Sequence, residues 1–146
     1  MIKVLSRADR RLGLVVFALA LAALVAGGKT QGNTRDEGYY FDAAELYWSW
    51  YGDLVENTLH GAPQKSFTRA AVDRGFGYNH EHPALMKELF GLSHWLFFEN
   101  LHWVREIASY RLPVFVLAGL FALCFYLFGA GLRGRGVGVL AVAAFF

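Results

Sequence analysis

Hydrophobic residues in this chain are bunched rather than spread. Leu12 to Gly28 carries no charged residue, and neither does Leu112 to Leu132. Wound as helices these runs are about 25 and 31 Å long, against a bilayer core of about 30 Å, so each is expected to span a membrane. A third apolar run opens at Gly136 and reaches Phe146, too short to cross alone. It reads as the start of a third span, and the chain as the amino-terminal part of a longer membrane protein.

Between the two spans, residues 29–111 follow other periods. Thr34-Arg35-Asp36-Glu37 has the spacing of a capping box, in which a threonine oxygen and a glutamate carboxylate satisfy free amides at a helix start. Acids there also suit the helix dipole. Beyond it Tyr39, Ala43, Leu46 and Trp50 repeat on one helical face, while Asp42, Glu45, Ser49, Asp53 and Glu56 repeat on another. Such an amphipathic helix can lie along a membrane surface or pack under an extracytoplasmic domain, and it should end near Gly61-Ala62-Pro63. From Pro63 to His82 the pattern predicts a loop, with a short helical turn within 66–72. Pro83 suits a new helix start, after which Leu85, Leu89, Leu92 and Leu96 repeat on one face. Trp95, Phe97, Phe98 and Trp103 are the large rings expected at a membrane interface, so this segment should skim the bilayer before Tyr110-Arg111-Leu112-Pro113 begins the second span.

Composition supports a membrane class: 55% of the 146 residues are hydrophobic and the mean hydropathy is positive. The formal charge of +2 informs only when divided by segment. Lys3, Arg7, Arg10 and Arg11 precede the first span, and Arg133 and Arg135 follow the second; the positive-inside rule makes that shared face cytoplasmic. The expected protein is thus a multi-pass protein of the plasma (inner) membrane with a cytoplasmic N-terminus. Residues 29–111, with an excess of acids and all five histidines, are then extracytoplasmic. The basic residues are topological flanks, not a stripe with interleaved aromatics, so no nucleic-acid partner is implied. Cys124 lies inside the second span and allows no internal disulfide. A basic start, an apolar run and small residues near Ala26 also fit a cleaved signal peptide, although the run is long for one and a second span follows.

Three groups could carry chemistry. A carboxylate of Asp36-Glu37, at the outer end of a membrane helix, could act as general base or metal ligand where a lipid-linked substrate presents its head group; helix capping and a solvated acidic face explain the same pair. His80-Glu81-His82 offers two imidazoles and a carboxylate to a divalent metal, or is a polar loop. No HExxH or cysteine pair is present, which argues against a closed zinc site. Lys87 could hold a phosphate or snorkel to the bilayer surface. His60, His94 and His102 have no regular partner spacing and read as packing or interface residues.

Taken in order, Asp36-Glu37-Gly38-Tyr39-Tyr40, Glu81-His82-Pro83-Ala84-Leu85-Met86-Lys87 and Arg111-Leu112-Pro113 resemble the start of the C-type membrane glycosyltransferases, the family of protein O-mannosyltransferases and bacterial aminoarabinose transferases. There a first membrane helix is followed by an acidic DE motif, an aromatic helix, a histidine-proline-leucine-lysine motif and an RLP lead into the second membrane helix. Ala84 stands for the family's second proline and Met86 for the glycine of the mannosyltransferase form. The resemblance implies a polyprenyl-phosphate sugar donor, a lipid or protein acceptor, and a catalytic carboxylate at Asp36 with Glu37 beside it. It further implies that Glu81 helps hold a divalent metal ion or the donor phosphate, with His80 as a further metal candidate from the pattern above, and that Lys87 and His82 face the donor phosphate. Arg35 is a further phosphate candidate by charge and position.

The expectation is therefore an all-α polytopic membrane protein fragment: two full transmembrane helices (12–28 and 112–132), the start of a third (136–146), and amphipathic interfacial helices in an extracytoplasmic catalytic loop (29–111). It would belong to a lipid-linked-sugar glycosyltransferase and be inactive as a fragment. The alternatives are a non-enzymatic membrane protein whose histidine-rich loop binds metal or haem, and a small membrane-anchored interaction subunit.

Overall fold

A computed structural model describes residues 4–32 and 34–145; Lys3 of the first basic flank and Phe146 of the last apolar run lie outside them. Of the described residues 81% are helical, and none is in a strand. It divides into two units, Met1–Gln31 with Val114–Phe146, and Gly32–Pro113.

The first unit holds the apolar runs. Helix α1 (Arg7–Gly28) starts at Ser6, whose hydroxyl accepts from the Asp9 N–H while the Asp9 carboxylate takes the Ser6 N–H. Helix α5 (Glu106–Arg133) contains the second run and lies in this unit from Val114 onward. Both helices are long and apolar enough to cross a membrane. Glycines let them approach: a Cβ on Gly13 would meet Leu123 at 2.7 Å, Gly119 faces Phe17, and a Cβ on Gly28 would meet Phe115 at 2.7 Å. Low numbers on α1 thus pair with high numbers on α5. The two are antiparallel, held by the small-residue contact that serves where water supplies no drive between helices. Arg7, Arg10, Arg11, Arg133 and Arg135 consequently gather at one end of the pair. Helix α6 (Arg135–Ala143) covers most of the third run, following a turn at Gly134 whose φ of 95° suits glycine. It packs on α5 where Gly138 meets Gly129, a Cβ on the latter falling 2.8 Å from the Gly138 Cα.

The second unit is built on α2 (Arg35–Leu59). Helix α4 (Ala84–His94) lies on it so closely that a Cβ at Gly91 would sit 2.8 Å from the Ala44 carbonyl oxygen. Phe41 stacks on Tyr110 at 4.4 Å and meets Phe90 edge-on at 5.9 Å, with Ala44 completing the small core. The stretch 63–76, expected to be mostly loop, is instead a 3₁₀ turn (Pro63–Phe67) and helix α3 (Arg69–Phe76). Thr68 caps α3 by accepting the Ala71 N–H, and Trp50 Nε1 donates to the Ser66 carbonyl at 2.8 Å, fixing the turn against α2. Only 77–83 stays irregular.

One face differs from the sequence pattern, and a second is set by packing alone. On α2 the buried residues are Phe41, Ala43, Ala44, Tyr47 and Trp50, whereas Tyr39 is exposed; packing on two sides, by α4 and by the 63–76 segment, broadens the covered face. On α4 the leucine repeat does not mark the core. Leu85 and Leu92 are exposed, and Lys87, Phe90, Gly91, Ser93 and His94 are buried. A π-helical turn (Trp95–Asn100) follows α4. Further on, Pro113 inside α5 has no N–H for the carbonyl of Ser109 four residues earlier. The Ser93 hydroxyl donates to that carbonyl at 2.6 Å, so the proline ties α5 to α4.

Candidate functional site at the start of α2

The Thr34 capping box forms as the spacing predicts: Thr34 N–H donates to Glu37 Oε2 at 3.0 Å and Glu37 N–H to the Thr34 hydroxyl at 3.4 Å. The spacing does not foretell a partner 74 residues away. Arg111, nearly buried, donates from Nε to Glu37 Oε1 at 3.0 Å and from Nη2 to Oε2 at 2.8 Å, and Nη2 also reaches the Gly32 carbonyl at 2.7 Å. This forked, charge-assisted grip is the strong kind, and it holds the Glu37 carboxyl below its ordinary range, with the Thr34 amide adding to it and partial burial opposing. Glu37 is therefore ionised and immobile, occupied on both oxygens.

Asp36, its neighbour, is exposed and has no hydrogen-bond or ion-pair partner among the described residues. Arg35, also exposed, precedes it at the first position of the helix. The adjacent acids thus divide: one fastens the helix start to α5, the other stands unengaged in the first turn.

The histidine loop comes to the same end of α2. Tyr39 meets Tyr78 at 6.5 Å and Tyr40 meets the His82 ring at 5.6 Å. Tyr40 lies one turn beyond Asp36, on the same side of the helix, so His82 and Asp36 belong to one neighbourhood although 46 positions separate them in the chain. Tyr39 and Tyr40 are the residues through which the loop finds α2, a role the periodicity does not mark. Beside Tyr78, an open depression is lined by Asp42, Glu45, Leu46 and Ser49. Burial, with Asp42 and Tyr39 nearby, raises the Tyr78 phenol above its usual value.

Lys87 is wholly buried. Its ammonium donates to the Asn79 carbonyl, to the His82 carbonyl at 3.1 Å and to the Tyr47 hydroxyl at 3.3 Å, and lies 5.2 Å from the Tyr47 ring centre. It neither snorkels nor presents its Nζ to solvent; it is a strut that sets the loop bearing His80 and His82. Asn79, at the bend, has a φ of 54°, a conformation asparagine adopts more readily than most residues.

His80 and Glu81 are exposed, with Nδ1 3.7 Å from Oε2. His80 Nδ1 also lies 2.9 Å from the Gly77 carbonyl; a carbonyl only accepts, so Nδ1 is the donor in that contact. The Glu81 carboxyl is held below its ordinary value, first by its own backbone N–H and then by His80, His82 and Lys87, against burial. One imidazole and one carboxylate suit a divalent cation that takes most of its ligands from water and phosphate, not an all-protein cage. Among the described residues no three His, Cys, Asp or Glu side chains converge as a metal set.

The remaining histidines are engaged separately. His60 Nδ1 meets the Glu56 carbonyl and His102 Nδ1 the Phe98 carbonyl. His94 is buried between Tyr110, stacked at 4.2 Å, and Phe98 at 4.9 Å, with Nδ1 2.9 Å from the Ser109 hydroxyl. Comparison with protein-family models, with curated proteins and with solved structures returned no match to this chain.

Proposed function

We propose that this chain carries the acceptor-activating site of a membrane glycosyltransferase, which moves a sugar from a polyprenyl-phosphate donor to a lipid or protein acceptor at the extracytoplasmic face. The observation that carries the reading is the division of the acidic pair: Glu37 held by Arg111 and Thr34, and Asp36 exposed and unengaged among the described residues beside the His82 loop. The collection of basic residues at one end of the α1–α5 pair supports a cytoplasmic N-terminus, and on that topology residues 29–111 would be extracytoplasmic.

In this reading Asp36 accepts the proton of the acceptor hydroxyl as that oxygen attacks the sugar's anomeric carbon, and the bond to the donor phosphate breaks. Charge then grows on the phosphate, and cationic groups fixed nearby lower the barrier most. Arg35 and His82 are the surface candidates. Lys87 acts at one remove by shaping the loop, since its ammonium already serves two carbonyls and a phenol. His80 and Glu81 would hold a divalent ion, which when bound supplies charge neutralisation at the phosphate.

The test is Asp36→Asn in the full gene product, assayed in membranes with a polyprenyl-phosphate sugar. Transfer should fall by about 10²–10⁴, the usual worth of a general base, while insertion and helix content stay unchanged. Undiminished transfer by the variant, or no transfer by the wild type from such donors, would overturn the proposal.

A further inference from the structure

Helix α4 is built inside out for a helix surrounded by water. Its buried face holds an ammonium, an imidazole and a hydroxyl, from Lys87, His94 and Ser93, beside Phe90 and Gly91. The opposite face is the leucine repeat: Leu85 is 68% exposed and Leu92 40%, with Leu89 and Leu96 partly exposed between and beyond them. No charge interrupts that stripe. Glu88, on its flank, lies near Tyr51 of α2. A soluble domain places such residues the other way round.

The exposed apolar surface continues along the chain. Trp95 opens the π-helical turn, Leu101 and Trp103 follow it, and Ile107 lies in the first turn of α5; all are exposed, Trp103 at 71%. Two residues, Val104 and Arg105, separate Trp103 from Glu106, where the helix that carries the second apolar span begins. The leucine face is thereby tethered by a short connection to a helix apolar enough to cross a bilayer, and tryptophans stand in the connection, the residue type that settles at the lipid boundary.

We propose that the outward face of α4, formed by Leu85, Leu89, Leu92 and Leu96 and extended by Trp95, Leu101 and Trp103, docks on the bilayer surface, with its leucines at the boundary between head groups and acyl chains. The occupant is lipid. Continuity with the apolar helix favours it over a protein partner, and so does the placement of every polar side chain of α4's covered face on the side away from the leucines. Docking this way turns Lys87, and the loop carbonyls it holds, away from the bilayer, and fixes the height of the 77–83 loop relative to the lipid. The inference stands on the burial pattern and does not rest on the transferase reading.

The test uses the whole chain in phosphatidylcholine–phosphatidylglycerol vesicles, with Cys124→Ser removing the one native cysteine. Nitroxide labels are placed singly through Leu85→Cys, Leu92→Cys, Asp73→Cys and Leu19→Cys. Collision with oxygen, which concentrates in lipid, is compared with collision with a water-soluble nickel chelate. Labels at 85 and 92 should meet oxygen several-fold more readily than nickel, as should the label at 19 on the exposed side of α1, while the label at 73 on α3 should show the reverse. Nickel-accessible labels at 85 and 92, with 19 still in lipid, would overturn the docking while leaving α1 in the membrane. Labels at 85 and 92 shielded from both reagents would overturn it differently, by placing protein over the face.

Discussion

The two units begin their first helices with nearly the same four residues. α1 opens with Ser6-Arg7-Ala8-Asp9 and α2 with Thr34-Arg35-Asp36-Glu37. In both, a hydroxyl caps the third helical amide, the acid at that position returns the bond to the cap, and an arginine from far along the chain seizes the same acid: Arg135 Nε at 2.6 Å from Asp9, Arg111 Nε at 3.0 Å from Glu37. Helix start and distant contact are thus made by one carboxylate. The difference lies at the second helical position, alanine in α1 and aspartate in α2. The device works in α1 with alanine there, so nothing in capping or long-range pairing requires Asp36. That comparison separates a functional acid from a structural one more sharply than the bare motif does.

The pairs also differ in which partner is hidden. In the first unit the acid is buried, its side chain 2% exposed, and Arg135 is half exposed at 53%; in the second the arginine is buried at 7% and Glu37 is 32% exposed. Removing the exposed partner strands the buried charge, the costlier way to break such a pair. Arg135→Gln, which leaves Asp9 buried with only Ser6, should therefore lower the Tm in detergent more than Glu37→Gln, Lys87→Met or Asp36→Ala does, and more than Asp9→Asn. The reverse order would mean that the hidden acid is not what the pair protects.

Glu37→Gln likewise removes the charge that faces the buried Arg111. With a third of Glu37 already in water, the loss should be about 2 kcal/mol at neutral pH. Its pH dependence follows from the lowered carboxyl. The folded state binds the Glu37 proton less readily than the unfolded chain, whose value is near 4.5, so the stabilisation is complete above that pH and is lost as the pH falls through and below it. Wild type and Glu37→Gln should differ most near pH 7 and converge in acid. A difference that persists unchanged at pH 3 would rule out the ion pair as its source.

The second unit also buries Lys87, whose hydrogen bonds go to two carbonyls and a phenol. Lys87→Met keeps the side chain's length but leaves the His82 carbonyl without its Lys87 donor and the Asn79 carbonyl with the His82 N–H alone, at 3.4 Å. A loss of about 1–2 kcal/mol is expected, with faster amide hydrogen exchange confined to the 77–83 loop. Uniformly faster exchange across α2 and α4 would show instead that Lys87 holds the unit's core.

How much of this fold is legible in the sequence follows the range of the interactions. The two apolar helices and the Thr34 box are local, set by runs and spacings of a few residues, and they stand where the pattern puts them. Thr68 and Pro63 also carry local start signals, but Gly75, Gly77 and Asn79 outweigh them in the pattern, which therefore predicts mostly loop over 63–76. The leucine repeat of α4 is legible as a stripe but not as an outward one, because periodicity does not report which side is covered; Lys87 and His94 on the opposite face are the available clue. Arg111 on Glu37, Arg135 on Asp9 and Ser93 on the carbonyl freed by Pro113 join residues 74, 126 and 16 positions apart. No spacing encodes such pairs. Of the candidate site, the acidic pair and the histidine loop are visible as separate motifs, but their meeting through Tyr40 and His82, and the division of labour between Asp36 and Glu37, require the fold.

The smallest expected effect bears most directly on the comparison of the two helix starts. Asp36→Ala makes the second cap resemble the first, Thr-Arg-Ala-Glu beside Ser-Arg-Ala-Asp. It removes an exposed acid that has no side-chain partner among the described residues, leaving only its favourable position at the helix N-terminus, about 0.5 kcal/mol. Alanine's better helix propensity offsets part of that, so thermal stability should move by about 0.5 kcal/mol or less, and helix content should not change. Ala8→Asp, the reciprocal exchange in α1, should be similarly mild if the second position is free of structural duty in both caps. A loss approaching that of Glu37→Gln on either exchange would show that the second position does bear load, and Asp36 would then be explained by the fold without any chemistry. Near-neutral stability in Asp36→Ala, set beside lost sugar transfer in Asp36→Asn, leaves the carboxylate with a role that only a substrate can account for.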